Sequence, residues 1–302
     1  KKIKKTVERF QHADYCFFIN YLFYNKFNDI PSLLLSDWPQ IVDLHEDGMK
    51  SNPLYRRVFS QEREAIENAH HVISIFKVRA EMMQKEYPNA NIRFLGGNVI
   101  NNLCPWKIEN GVVYFFETEK HKILDIKETS KSILFIGKPD RYLEAAHKVV
   151  DAFCKLKKKD LQLRLNIIGF SQDKLGRNID GVTCYGFLHK DIKEECELYY
   201  RLLIDAKLIV NPNPRWAAYS SMIEAMFFYT PVIVAPYDAF VNEFGENIEF
   251  GVYNEEFTTE CVAENIEKIL SCNKYSALCE NAHWAVHDYS WNNYVDRIIR
   301  AI

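Results

Sequence analysis

Residues 208–236, "LIVNPNPRWAAYSSMIEAMFFYTPVIVAP", contain two apolar runs separated by a short helical pattern. The runs at 208–211 and 231–235 are rich in branched side chains, which predicts two buried strands. The segment "SSMIEAMFF" between them predicts a short helix. A strand, a helix and a second strand in this order form a βαβ unit, whose strands run parallel in one sheet.

The same alternation extends upstream of this stretch. "SILFIG" (132–137), "LRLNIIG" (163–169) and "VTCYG" (182–186) predict three further strands, each of which ends in glycine. Residues 101–130 are irregular and polar apart from the short strand "VVYFF", and we interpret them as a linker. The pattern predicts an α/β protein built on parallel sheets, and the length of 302 residues favours two domains over one.

Composition and charge exclude several classes of protein. The net charge of −3 gives no support to a general nucleic-acid binder. The eight cysteines include no C-x-x-C pair, so we expect reduced thiols rather than a zinc ribbon. His283 and His287 have helical spacing without an accompanying acidic motif, and we interpret them as core or surface residues rather than metal ligands. The sequence also lacks an apolar run of about 18 residues, so we expect no membrane-spanning segment.

Glu224 is the single carboxylate in the apolar run, and two hypotheses explain it. In the first, Ser221 and Glu224 form a capping box, in which the serine caps a helix and the glutamate bonds back to the serine amide. In the second, Glu224 binds the vicinal hydroxyls of a ribose, because ligands bind at the carboxyl ends of parallel strands. Free amides of Ser220, Ser221 and Met222 at the helix start would then hold an anion such as a diphosphate.

Four segments resemble family-four glycosyltransferases, which have the two-Rossmann-domain GT-B fold. One is "LRLNIIGFS" (163–171) followed by "VTCYGFLHKDIKEECELYYRLLIDAKLIV" (182–210), which resembles the middle units of the second domain. The stretch quoted above is similar to the donor-site segment of that family. "ILFIGKPDRYLEAAHKVVDAF" (133–153) is similar to its first C-terminal strand, basic loop and helix. "YSWNNYVDRIIRAI" (289–302) resembles its terminal helix, which crosses back to the first domain. The resemblance covers residues 130–302 and is weaker in the first half of the chain.

The resemblance implies an α/β architecture of two Rossmann-like domains of the GT-B type, with a cleft between them. The N-terminal, acceptor-side domain would span residues 1–125 and include the terminal helix 289–302. The donor-nucleotide-binding domain would span residues 131–288. The strands near Cys16 lack an upstream glycine-rich turn, so we expect the N-terminal domain to be incomplete and further residues to precede Lys1.

By the same resemblance, the second domain holds the donor. Glu224 would bind the ribose, Lys138 and Arg141 would neutralise the diphosphate leaving group, and residues 183–187 would present backbone groups to the base. Without the resemblance, Lys138 and Arg141 are equally well explained as solvated loop cations. The expected donor-binding residues are Gly137, Lys138, Arg141, Tyr185, Trp216, Ser220, Ser221 and Glu224.

Trp216 stands where the family normally has a second glutamate, eight positions before Glu224. Tryptophan supplies no carboxylate, so its side chain would stack on an apolar sugar face or pack in the core. The glycine-rich loop of the family is also replaced, by "RWAAYSS". This departure puts the donor sugar and catalytic competence in question, but it leaves the nucleotide site in place.

In the first half, Asp37 ends a predicted strand near the place where the family often has a histidine. The resemblance makes Asp37 a catalytic candidate beside Lys138 and Arg141, and its alternative role is that of a turn residue. Gly97 and Asn98 would lie on the acceptor side, or they form only a turn.

The resemblance implies a hexosyltransferase-type enzyme that moves a sugar from a UDP-, GDP- or dTDP-sugar to a saccharide or lipid-linked acceptor, with retention of configuration. No cofactor is expected, and the lack of a D-x-D motif agrees with the absence of an obligatory metal. We expect a cytoplasmic protein of polysaccharide biosynthesis, with peripheral membrane association left open. Two alternatives stay open: a non-catalytic nucleotide-sugar-binding or partner subunit, and a GT-B sugar-nucleotide epimerase, which would need acid and histidine groups clustered in the cleft.

Overall fold

The computed structural model describes residues 13–19, 21, 24, 30–36, 39, 56–100, 107–109, 112–114 and 120–302. The chain divides into two compact units, the first unit (residues 1–98 and 292–302) and the second unit (residues 99–291). The expected domains, 1–125 with 289–302 and 131–288, differ from this division at residues 99–125 and 289–291. The domain boundaries therefore stay a prediction.

The described residues form twelve strands and eleven helices. The strands are β1 (Cys16–Phe18), β2 (Ser32–Ser36), β3 (His71–Ser74), β4 (Ile92–Phe94), β5 (Lys107–Glu109), β6 (Val112–Tyr114), β7 (Ser132–Ile136), β8 (Arg164–Ile168), β9 (Val182–Cys184), β10 (Ala206–Asn211), β11 (Val232–Val234) and β12 (Gly251–Tyr253). The helices are α1 (Arg56–Asn68), α2 (Lys77–Glu86), α3 (Lys120–Thr129), α4 (Pro139–Lys157), α5 (Gln172–Leu175), α6 (Lys193–Asp205), α7 (Tyr219–Phe227), α8 (Asp238–Phe244), α9 (Thr259–Leu270), α10 (Tyr275–Val286) and α11 (Trp291–Ala301).

A four-stranded parallel sheet in the order β1–β2–β3–β4 forms the centre of the first unit. Strand β2 is buried along its whole length, and its side chains alternate between the two faces of the sheet. Leu34 packs in a cluster with residues of α1 and α2, whereas Leu33 and Leu35 pack with Tyr294 and Ile298 of α11. Helices therefore cover both faces, which explains why this strand is a continuous apolar run.

The second unit contains a six-stranded parallel sheet in the order β12–β11–β10–β7–β8–β9. The three strands from β7 lie on one side in chain order and the three from β10 on the other, which is the doubly wound Rossmann order. All five residues of the central strand β7 are buried. The predicted α/β fold with parallel sheets is confirmed, and the strand order reverses between β7 and β10.

The interpretation of residues 101–130 as a linker is wrong at helix α3. This helix packs against α6 and α10 of the second unit. The side chain of Lys127 is fully buried, and its Nζ donates hydrogen bonds of 2.8–2.9 Å to the carbonyl oxygens of Leu203, Ile204 and Ala206. A lysine that looks solvated in the sequence is therefore an internal anchor, because the end of α6 supplies acceptors for its protons.

Two glycines shape the carboxyl edge of this sheet, where β7 and β8 end. Gly169 has a φ of +96°, and a Cβ atom there would lie 1.9 Å from the carbonyl oxygen of Gly137. A Cβ atom on Gly137 would lie 2.9 Å from the ring of Tyr142. Both positions therefore require glycine, and the close approach of their backbones sets the path of the loop that follows β7.

Candidate functional site at the carboxyl edge of the second sheet

The carboxyl ends of β7 and β10 meet at the point where the strand order reverses, which is where Rossmann-like sheets bind ligands. Asn211, the last residue of β10, donates from Nδ2 to the carbonyl oxygen of Ile136 at 3.1 Å. Asn213 donates from Nδ2 to the carbonyl oxygen of Arg141 at 3.1 Å. These bonds fasten the loop after β10, which leads into α7, to the loop after β7.

Lys138 and Arg141 lie at the start of α4, and both residues are exposed. The Nζ atom of Lys138 lies 5.9 Å from the ring centroid of Phe187, on the loop after β9, which is within the range of a cation–π contact. Among the described residues, neither cation forms an ion pair. Their charges therefore face solvent at this edge without a carboxylate that neutralises them.

Glu224 lies inside α7 and is enclosed by two side chains from the neighbouring loop and helix. Tyr199 of α6 donates its hydroxyl to Oε2 at 2.6 Å, and Lys190 forms an ion pair with Oε1. The side chain of Glu224 is 10% exposed, whereas that of Lys190 is 39% exposed. Burial and the adjacent Glu224 charge raise the pKa of Tyr199 well above its ordinary value, so its hydroxyl remains a donor at neutral pH.

The capping-box hypothesis for Ser221 and Glu224 is wrong. Helix α7 begins at Tyr219, two residues before Ser221, and no side chain caps its first turn. The residue before the helix is Ala218, whose backbone is left-handed with a φ of +52°. Glu224 is therefore the sixth residue of the helix and lies too far along it to serve as a capping partner.

The expectation of three free amides at this helix start is wrong for two of them. The amides of Ser221 and Met222 donate to the carbonyl oxygen of Ala218, at 2.8 and 3.1 Å. Ser220 is exposed on the first turn. The proposed anion contact at the helix start therefore reduces to the amide of Ser220, and Ser221 contributes no amide unless the first turn opens.

Trp216 lies in the loop before α7 and has a left-handed backbone, with a φ of +62°. Its half-buried ring is tilted against that of Tyr237, with 6.0 Å between the centroids. The hydroxyl of Tyr142 donates to its carbonyl oxygen at 3.4 Å. The loop thus holds left-handed conformations at Trp216 and Ala218 that glycine would adopt without strain.

Tyr185 points its side chain into the sheet. Its hydroxyl donates to Oδ1 of Asn166 at 3.1 Å, and Asn166 in turn donates to the Ser132 hydroxyl at 2.7 Å. Burial raises the pKa of the Tyr185 hydroxyl. The side chain of Tyr185 is therefore committed to the fold, whereas the exposed ring of Phe187 and the backbone groups of this loop remain for a ligand.

The two partners of Glu224 were not among the residues predicted from the sequence. Lys190 follows the predicted strand "VTCYG" and so had a signal, because a cation after a strand at the carboxyl edge is a site candidate. No sequence signal marks Tyr199, since it occupies a position in α6 that an ordinary apolar core residue would also occupy.

The remaining predicted residues belong to the first half of the chain. Asp37 lies outside the described residues. The carbonyl oxygen of Gly97 accepts a hydrogen bond of 2.7 Å from Nη2 of Arg297, on α11, so this turn is braced from within the first unit. Asn98 is buried, and its Nδ2 atom has no hydrogen-bond partner among the described residues.

Within the described residues, no group of three or more His, Cys, Asp or Glu side chains is arranged to hold a metal ion. His283 is buried, with its ring stacked on Tyr229 at 4.3 Å, and His287 is exposed beside Asp288. None of the described helices is both long and apolar enough to cross a membrane.

Comparison with known proteins finds a family match within the second unit. Residues 130–272 match the family model of glycosyl transferases group 1. The match covers the whole edge described above, from β7 through α7 and β11. No curated protein sequence is similar enough to count as a match.

Solved structures show the same fold at low sequence identity. A mutant of S. aureus TarM, in complex with fondaparinux, α-GlcNAc-glycerol and UDP, is 18% identical, with a TM-score of 0.62 over 92% of this chain and 52% of its own. Anabaena Alr3699/HepE, in complex with UDP and glucose, is 14% identical, with a TM-score of 0.63 over 99% of this chain and 80% of its own. WaaG, a glycosyltransferase of lipopolysaccharide biosynthesis, is 17% identical, with a TM-score of 0.62 over 99% of this chain and 80% of its own. The chain thus spans about half the length of the TarM chain, and its fold is the GT-B type with two Rossmann-like domains.

Proposed function

We propose that the chain is a nucleotide-sugar-dependent glycosyltransferase whose donor binds at the carboxyl edge of the second sheet. The observation that carries this proposal is Glu224, a buried carboxylate on the helix that follows the reversal of strand order. Lys138 and Arg141 add exposed positive charge at the same edge. The family match over residues 130–272 supports the assignment, and the HepE structure contains UDP together with glucose.

Each proposed contact matches a charge or hydrogen-bonding need of the donor. The carboxylate of Glu224 accepts hydrogen bonds from the ribose hydroxyls, and Lys138 and Arg141 stabilise the charge on the departing diphosphate. The exposed amide of Ser220 is proposed as a further phosphate donor. The ring of Trp216 is proposed to stack on the sugar, in place of a charged contact.

In the proposed reaction, the bond between the anomeric carbon and the β-phosphate oxygen breaks, and an acceptor hydroxyl oxygen bonds to the same carbon. The acceptor loses its proton, for which Asp37 is the proposed recipient. Gly97 and Asn98 are proposed on the acceptor side. Retention of configuration, a hexose donor, a saccharide or lipid-linked acceptor, a cytoplasmic setting and independence from metal and other cofactors are further parts of the proposal.

A second candidate function is a non-catalytic nucleotide-sugar-binding subunit. It is favoured by Trp216, which replaces the glutamate that the related family places on the reacting face of the donor. Both candidates bind a nucleotide, so binding alone does not separate them. Transfer of radiolabel from UDP-, GDP- or dTDP-sugars to water or to an acceptor is expected of the enzyme, whereas binding without any transfer would favour the subunit.

Glu224→Gln tests the nucleotide site directly. The amide keeps one acceptor for Tyr199 but makes neutral hydrogen bonds, so UDP or GDP should bind about tenfold more weakly, a loss of about 1.4 kcal/mol. The 2′,3′-dideoxy nucleotide should bind wild type and variant alike, because it lacks the hydroxyls. Isothermal titration measures both, and equal affinity of the ribonucleotide for the two proteins would remove Glu224 from the site.

A further inference from the structure

Lys190 is the partly exposed partner of the Glu224 carboxylate. The ammonium group pairs with Oε1, and its Nζ also lies 4.3 Å from the ring centroid of Tyr199 and 5.7 Å from that of Tyr200. Tyr199 holds the other oxygen from the protein side and is 5% exposed. Of the two partners, only Lys190 has substantial contact with water, with 39% of its side chain exposed.

A ribose diol that binds both carboxylate oxygens of Glu224 meets the ammonium group of Lys190 at Oε1. A carboxylate has about four acceptor positions, so Lys190 and Tyr199 do not exhaust its capacity. With Lys190 in place, 10% of the Glu224 side chain stays exposed. Of the two partners, Lys190 is the one that can move away, since Tyr199 is enclosed within the packing of α6 and α7.

We infer that Lys190 is an internal competitor of the donor ribose, which leaves Glu224 when ligand hydroxyls take its place. The inference rests on the proposed function, since it concerns the same carboxylate. A ribonucleotide offers two hydroxyls to replace the ion pair and the cation–π contacts. A 2′-deoxyribonucleotide offers one, which does not compensate for the same loss.

Lys190 makes the affinity of the protein for its nucleotide lower than the contacts of the diol alone would give, because each binding event first separates Lys190 from Glu224. The preference for a ribose over a deoxyribose comes from the hydroxyls themselves, and the competing ion pair makes that preference smaller.

The test compares Lys190→Met with wild type, using UDP and GDP and their 2′,3′-dideoxy counterparts. Methionine keeps the apolar stem over Tyr199 but has no ammonium group. The readout is the ratio of the two dissociation constants, dideoxynucleotide over ribonucleotide, because phosphate contacts and net charge affect both ligands equally. Removal of a partly exposed ion pair should raise this ratio by about twofold to fivefold.

Lys193→Met is the matched control. Lys193 is exposed at the first residue of α6 and loses the same charge three residues away. The ratio should stay at the wild-type value in this variant. A rise of equal size in Lys193→Met would show a general charge effect and overturn the inference.

The remaining outcomes separate the inference from the proposed function. If ribonucleotides bind wild type but Lys190→Met leaves the ratio unchanged or lowers it, Lys190 does not compete with the diol, while the nucleotide site stands. If no nucleotide binds either protein, the proposed function fails and the inference fails with it.

Discussion

The amino and carboxyl edges of the second sheet carry positive charge in different ways. At the amino edge, the cations are committed to partners within the protein. Lys131 pairs with Asp160 at 3.0 Å, and Lys207 donates to the carbonyl oxygen of Glu128 at 2.9 Å. Lys127 is enclosed completely, with carbonyl oxygens and the Thr230 hydroxyl (2.7 Å) as its acceptors.

At the carboxyl edge, the charges are exposed or held by partners that can move. Lys138 and Arg141 are exposed and form no ion pair within the described part of the chain. Lys190 pairs with Glu224 through a side chain that keeps contact with water. A buried amino group with fixed main-chain acceptors is thus part of the fold, whereas a carboxylate with a partly exposed side-chain partner can exchange that partner for a ligand.

The largest expected effect is at the amino edge. Lys127→Met leaves carbonyl oxygens at the end of α6 without their donor, so the free energy of unfolding should fall by about 3–5 kcal/mol. Urea denaturation measures the loss. Lys131→Met is the control, since its exposed ion pair contributes less than about 1 kcal/mol. A Lys127 variant as stable as the control would contradict the structural role, and nucleotide affinity of the folded variant should not change.

The next effect is at the carboxyl edge. Lys138→Ala and Arg141→Ala should each weaken UDP or GDP binding by about 1.5–3 kcal/mol, because a charge-assisted hydrogen bond to phosphate is lost. Binding of the corresponding nucleoside, measured by the same titration, should change little. Lys158→Ala, at the opposite end of α4, controls for net charge. Equal losses for nucleoside and nucleotide would exclude a phosphate role.

The stability of the protein should rise between pH 7 and 8.5. Burial lowers the pKa of Lys127 to about 7 from its ordinary 10.5, so in this window the folded state loses a proton that the unfolded state keeps. Because the unfolded state then binds more protons, the free energy of unfolding rises with pH, by about 1.5 kcal/mol over the window. The lowered pKa of Lys207 adds a change of the same sign.

Cys279 limits the upper end of that window. Burial raises the pKa of its thiol to about 11, so above its ordinary value of 9.0 the unfolded state loses this proton first, and Cys279 contributes a fall in stability that opposes the continuing Lys127 rise. Urea denaturation at pH 7.0, 7.75 and 8.5 measures the rise in the free energy of unfolding that is expected from Lys127. Lys127→Met should remove most of it, and an identical rise in that variant would assign the effect to other groups.

The smallest expected effect concerns the strained loop before α7. Ala218 holds a left-handed backbone that costs an alanine more than a glycine, so Ala218→Gly should raise the free energy of unfolding by about 0.5–1 kcal/mol. Ala217→Gly is the matched control, because Ala217 is buried and is not left-handed, and it should destabilise. Thermal and urea unfolding compare the two, and a loss of stability in both variants would show that strain at Ala218 is not relieved by glycine.

Much of the second sheet could be predicted from sequence because its signals are local. Strands β7, β8 and β9 are short runs of strand-forming residues, each of which ends at or near a glycine. After β7 and β8, glycine is required because the backbones of Gly137 and Gly169 approach closely. Glu224 could also be selected, because a lone carboxylate in an apolar run is unusual. The partners of Glu224 could not be predicted in the same way, since "SSMIE" is equally consistent with a capping box when the packing is unknown.

The sequence by itself therefore determined the parallel α/β fold and the position of the candidate carboxylate, because hydrophobic periodicity and glycine requirements act over a few residues. Only the tertiary structure decided what each charge does. Lys190 and Tyr199 lie 34 and 25 residues from Glu224, and Lys127 lies more than 70 residues from its acceptors. No local pattern encodes such pairs, because they depend on which loops and helix ends the sheet brings to the same edge.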